Sequence, residues 1–169
     1  MTTIPNVTAG ADVLESWGDT VADEVNRRQG VVLAADVSKS ASSWSDITGL
    51  TAAVLNGRAY GFKACLIYEA SSTSGGIRIG FNGPTGNLKA MVQYTGETSA
   101  TAFVNEWHTA YDTASGVATV DAASTPRIVL VEGRLVPTAD GTFALRYYRN
   151  TTGSATVQTG SWLEVIADA

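Results

Sequence analysis

The sequence predicts an all-β chain: an antiparallel β-sandwich, jelly-roll-like in its wrap, preceded by a short N-terminal arm and one helix. Three observations carry this. From Val31 onward apolar residues recur at every second position in run after run, the period of strands with one buried face. Clusters of Gly, Asn, Asp, Pro and Ser separate the runs, and no helical period lies between them, which argues against βαβ units. Only residues 12–28 show the spacing of three and four that an amphipathic helix requires.

Composition bounds the rest. The 169 residues are 44% hydrophobic and 16% charged, enough to bury a real core and too apolar for a disordered chain. Eleven basic residues against 16 acidic ones give a net charge of −5, with no basic block. That excludes a nucleic-acid partner, since phosphate contacts supply most of such affinity. No run approaches the roughly 18 apolar residues of a membrane helix, so membrane insertion is not expected. The first residues, Met1 to Asn6, have no basic or apolar leader region, which points to synthesis in the cytoplasm. Cys65 is the single cysteine; it can form no intrachain disulfide and reads as a small buried hydrophobe.

The elements follow in order. Residues 1–10 read as an extended arm, because Pro5 disfavours helix at Ile4. Asp12 can cap a helix over 12–28, with Glu15 three residues on. Leu14, Trp17, Val21 and Val25 make its apolar stripe, Arg27 and Arg28 suit its C-terminal end, and Gly30 can cap it. Gly18 inside it costs about 1 kcal/mol relative to Ala, so the stripe must pack on something. That is either the rest of its own chain or a partner, in a multi-helix seam. The domain division is therefore 1–30, arm and attachment or oligomerisation helix, and 31–169, sandwich.

Val31–Asp36 reads as a short strand, Ser38–Asp46 as a loop holding Trp44, and Thr51–Leu55 as a strand ending in Asn56-Gly57, a strong hairpin signal. Tyr60, Phe62, Ala64, Leu66 and Tyr68 alternate along a long strand; Ile77, Ile79 and Phe81 form another, as do Leu88, Ala90, Val92 and Tyr94. Ala102–Trp107 is a weaker strand, and 108–124 is loop-like with a short strand near Val117–Val120. Arg127–Val136 is apolar enough to suggest burial on both faces in its middle. Pro137 to Gly141 then reads as a hairpin turn into Thr142–Arg149, and Ala155–Thr159 and Trp162–Ala167 close the domain.

Chemistry is sparse. One His and one Cys cannot hold zinc, and no spaced acidic loop offers calcium a site, so neither metal nor cofactor is expected. The glycines of 75–86 are followed by neither Lys-Ser/Thr nor a helix, so they form no phosphate cradle. No catalytic residue is assigned and no enzyme is expected. His108 reads as a surface or interface side chain; the alternative is a dyad with Glu106 on the same strand face. Trp44 and Trp107, in or beside loops, are candidate ligand or interface aromatics.

Several segments, taken in order, resemble virion proteins of tailed phages, especially those of actinobacteria. They are Ile4-Pro5, Ala9–Leu14 and Trp17–Val21; then Tyr60–Ala64 and Gly75–Pro84; then Val131–Leu135, Ala139–Thr142, Gly153–Val157 and Gly160–Val165. The resemblance implies a structural subunit of a phage particle: a tail-tip or fibre, collar, head-fibre or capsid decoration protein located in the virion. It implies a homotrimer that grips other virion proteins through its N-terminal arm; closed symmetry would let three helices bury Leu14, Trp17, Val21 and Val25 together if the stripe packs on a partner and not on its own chain. No collagen-like or coiled-coil shaft repeat is present, which favours a compact subunit over a long fibre. The alternative function is a host-surface glycan or receptor-binding module working through Trp44 and Trp107.

Overall fold

A computed structural model describes residues 27–95, 103–113 and 122–168. They form eleven strands: β1 (Arg28–Val32), β2 (Val37–Lys39), β3 (Ser45–Val54), β4 (Tyr60–Ala70), β5 (Ile77–Asn82), β6 (Gly86–Thr95), β7 (Phe103–His108), β8 (Arg127–Pro137), β9 (Gly141–Arg149), β10 (Ala155–Val157) and β11 (Trp162–Ala167). Every pairing is antiparallel. The larger sheet has the order β1-β11-β4-β8-β6-β7, with β10 also on β4 and β2 on β10; the smaller sheet is β3-β9-β5.

The alternating residues named from sequence in β4, β5 and β6 join Ile47 and Leu50 of β3, Leu135 of β8, and Phe143 and Leu145 of β9 in one shared core. Phe62, Leu66, Tyr68, Val92, Tyr94 and Leu135 come from the larger sheet, and Ile47, Leu50, Ile79, Phe81, Phe143 and Leu145 from the smaller, all buried. Phe62 crosses between the layers, with ring centroids 4.8 Å from Phe143 and 5.7 Å from Phe81. Gly133 lies opposite Phe62 in the β4–β8 ladder. A Cβ there would run into the Phe62 ring and the Lys89 carbonyl, so the missing side chain is what admits the ring. The pairing of β3 with β9 shifts register between Asp46 and Thr51. This bulge lets Ile47 and Leu50, three apart, both face inward.

Both sequence-predicted hairpins prove to be something else. Asn56-Gly57 does reverse the chain, with Gly57 at φ 71°, but β3 and β4 lie in different sheets. Pro137 to Gly141 likewise carries the chain from β8 in the larger sheet to β9 in the smaller. Turn chemistry sets a reversal of direction; it does not choose the partner of each strand. Here the apolar faces on either side of each turn face one another across the core. The two crossings are tied together: Gly57 N–H donates to the Pro137 carbonyl at 2.8 Å, and Asn56 N–H to the Asp140 carboxylate at 2.7 Å. The wrap agrees with a jelly-roll-like order in β1-β11-β4-β8 and β3-β9-β5, but β6 and β7 extend the larger sheet.

Other expectations need correction. Arg28, assigned to the end of the helix, begins β1 and pairs with Ile166, and the Arg27 carbonyl accepts the Ala167 N–H at 2.9 Å. Ladder bonds to β11 claim these residues. Leu14, Trp17, Val21, Val25 and the rest of the helix expectation lie outside the described residues, as does the strand near Val117–Val120. The Ser-rich stretch 38–46 contains most of β2 and the start of β3. Strand β8 is not buried on both faces: Val129 and Val131 face the core, while Ile128 and Leu130 are exposed.

Candidate interaction surface

The outer face of the larger sheet carries Trp107, one of the two candidate aromatics. Registers place its side chains in rows across the strands. One row runs Trp107, Met91, Glu132, Lys63, Glu164 from β7 to β11. The next runs Asn105, Gln93, Leu130, Cys65, Trp162, Val32 from β7 to β1. Beyond it lie Phe103, opposite Thr95, and Ile128, opposite Ile67.

The two halves of this face differ. The half around Leu130 is apolar: Leu130 is 45% exposed, Ile128 42%, and Phe103, Trp162 and Val32 also stand out to solvent. The half towards Arg28 is a charged groove of about 810 Å³ floored by Gly61, where a Cβ would meet nothing, with Trp107 and Met91 at its far end. Ion pairs cross it, Lys63–Glu132 at 3.4 Å and Arg28–Glu164 at 3.1 Å, and Arg134 pairs with Asp168 at its rim. Cys65 sits in the apolar half between Leu130 and Trp162, and burial pushes its thiol above the ordinary cysteine range, which keeps it a poor nucleophile.

Trp44 and Trp107 are not equivalent. Trp107 is 65% exposed on the outer face. Trp44 lies on the other sheet, packed over Gly80, where a Cβ would come within 2.6 Å of the indole. Its ring meets Tyr148 edge to face at 4.5 Å, and the Arg78 guanidinium lies 5.5 Å from the Tyr148 ring centre. Trp44 is thus a cover for the β5–β9 pair, with one face used up.

His108 is buried, not at a surface. It does share an inward face with Glu106, as the alternation of β7 requires: Nε2 lies 3.5 Å from Glu106 Oε2. Thr113 Oγ1 is 3.4 Å from Nδ1, and the Phe81 ring packs edge to face at 5.4 Å. Tyr94 links the pair to the smaller sheet, donating to Glu106 at 3.4 Å and accepting the Ile79 N–H at 3.0 Å. The arrangement is a polar tie between the layers, closed off from solvent.

Sequence reasoning missed one polar cluster. Arg146 on β9 reaches Asp46 at 2.8 Å and Asp112 at 2.6 Å. Asp112 stands at φ 51° in the loop after β7. The partners are far apart in sequence; the β3–β9 pairing sets Asp46 opposite Arg146, and Asp112 comes from the loop after β7. Among the described residues no group of three or more His, Cys, Asp and Glu is arranged to hold a metal.

No family model matches the chain, and no curated protein does. Among solved structures, the VP2 subviral particle of infectious bursal disease virus is similar at 13% identity and a TM-score of 0.42, over 83% of this chain and 32% of VP2. The TNF protein Eiger from S. frugiperda is similar at 12% and 0.40, over 85% and 94%. A Clostridium thermocellum xylanase fragment with CBM22-1 and GH10 modules, solved with xylohexaose, is similar at 11% and 0.33, over 86% and 27%. The chain thus spans about a third of the length of VP2.

Proposed function

We propose that the protein is a structural subunit of a viral particle, of the tailed-phage kind that its sequence resembles, and that it works by being held among neighbours. The observation that carries this reading is the largely apolar half of the outer face: Leu130, Ile128, Phe103, Trp162 and Val32 are exposed on rigid paired strands, with Cys65, Thr95, Gln93 and Asn105 among them. Contiguous apolar surface on a domain marks a place where something docks. Large aromatic and aliphatic side chains framed by polar ones are the composition of an assembly contact.

In this reading the protein forms a homotrimer, contacts other virion proteins, and has no catalytic task. The buried His108–Glu106 pair supports the last point, since neither group can reach a substrate. The test is solution mass by light scattering together with co-sedimentation with particles. The expected result is an oligomer that Leu130→Lys with Ile128→Lys dissociates, and a wild-type chain found in particles. A monomer that never sediments with particles overturns the reading.

A further inference from the structure

We infer that the charged groove of the larger sheet binds an acidic glycan, with a uronic acid ring against Trp107 and its carboxylate on Lys89. Four observations converge on this ligand. The first is Trp107 itself. It is 65% exposed, on a strand paired along its whole length with β6. Among the described residues it enters no ring pair, and its indole N–H has no hydrogen-bond partner. A rigid, uncovered indole offers a sugar an apolar face and a donor at little cost in entropy. Trp44, packed over Gly80 on the smaller sheet, has no part in this.

The second is charge. Lys63 pairs with Glu132, Arg28 with Glu164 and Arg134 with Asp168. Lys89 lines the same groove and has no ion pair among the described residues. It stands directly opposite Arg134 in the β6–β8 ladder. Like charges set opposite one another repel, and an anion between them removes the repulsion. The third is spacing. Trp107 lies opposite Met91, and Lys89 is two residues from Met91 on β6. Trp107 and Lys89 are therefore diagonal neighbours, about 7–8 Å apart. A uronic acid presents an apolar C–H face and a carboxylate within that reach. A neutral sugar leaves Lys89 unanswered. The fourth is the floor. From Lys89 the trough runs over Arg134, Gly61 and Ile166 to Arg28, one residue per strand, and a Cβ at Gly61 would meet nothing. That is four strand steps, about 19 Å, room for an oligosaccharide and not for one ring alone.

Other polymers fit less well. Strands β6, β8, β4 and β11 are each paired on both sides, so the groove offers a peptide no sheet edge to extend. One uncommitted cation is too few for the phosphates of a nucleic acid.

The groove half is separate from the apolar half invoked above, so this inference stands without the virion reading. It is tested by calorimetric titration of the full chain with oligogalacturonate, oligomannuronate and hyaluronan fragments, with cellohexaose as the neutral control. The expected result is that at least one of the acidic ligands binds, about tenfold or more tighter than cellohexaose. Lys89→Gln should weaken that binding about tenfold, as loss of a charge-assisted contact does, and Trp107→Ala by about as much. Both positions are exposed, so the thermal midpoint should hold. Added salt should weaken binding in the unaltered chain and much less in Lys89→Gln. Absence of binding by all three acidic ligands at about 1 mM, equal affinity for cellohexaose, or binding unchanged by Trp107→Ala overturns the inference. So does self-association that Trp107→Ala dissolves, which would assign the groove to a second copy.

Discussion

His108 and Glu106 are the residues whose removal should be felt most. Each is buried and each faces the other. Truncating one takes away the buried polar group that faces the other, a loss of about 1–3 kcal/mol for a buried group left unsatisfied. His108→Ala and Glu106→Ala should therefore each lower the urea midpoint sharply. The double replacement Glu106→Leu with His108→Phe should cost much less, since it leaves no polar group stranded. Gly80→Ala acts through sterics. A methyl group within 2.6 Å of the Trp44 indole must lift that ring from the sheet. We expect a loss of about 1–3 kcal/mol, as for other overpacked sites, with a red-shifted tryptophan emission. Unchanged emission would mean that Trp44 does not depend on the glycine for its seat.

At the level of elements, the two crossings between sheets share one side-chain bond, Asn56 N–H to Asp140. Asp140→Ala should cost about 1 kcal/mol, the net worth of one such hydrogen bond, measured as a shift in thermal midpoint. Leu130→Lys should change stability by less than about 0.5 kcal/mol, as exposed positions do, while weakening any association of the outer face. The strands themselves were legible because period two was long and regular in β4, β5, β6 and β8. Which sheet each strand joins was not, because Asn56-Gly57 and Pro137 to Gly141 encode reversal and say nothing about crossing the core. The apolar run of β8 misled for a related reason. Ile128 and Leu130 look like core residues, and only their position on an uncovered face shows otherwise. Trp107 was legible as an exposed aromatic. Trp44 was not separable from it, because the glycine that it packs over, Gly80, lies 36 residues away.

For the molecule as a whole, alkaline pH gives a clean test of packing. Burial pushes the phenols of Tyr111 and Tyr147 above the ordinary value of 10.0. The folded chain therefore holds those protons longer than the unfolded one. This contribution to stability is complete below about pH 10 and is lost as pH rises through the folded values. Tyrosinate absorbance should lag in the native protein and jump on unfolding; a smooth titration with six equivalent tyrosines would contradict the burial. The same wrap also constrains how the chain can be made. Strand β11 lies between β1 and β4, so the earliest described strand cannot join the larger sheet until the last one arrives. A ribosome-bound chain halted before Trp162 must hold β1 unpaired and the outer edge of β4 largely open, exposed to proteases and to its neighbours. The larger sheet therefore closes only after β11 clears the exit tunnel, with slow, non-local pairing as its final step, and a chain cut short at Gly160 should be degraded, not stored.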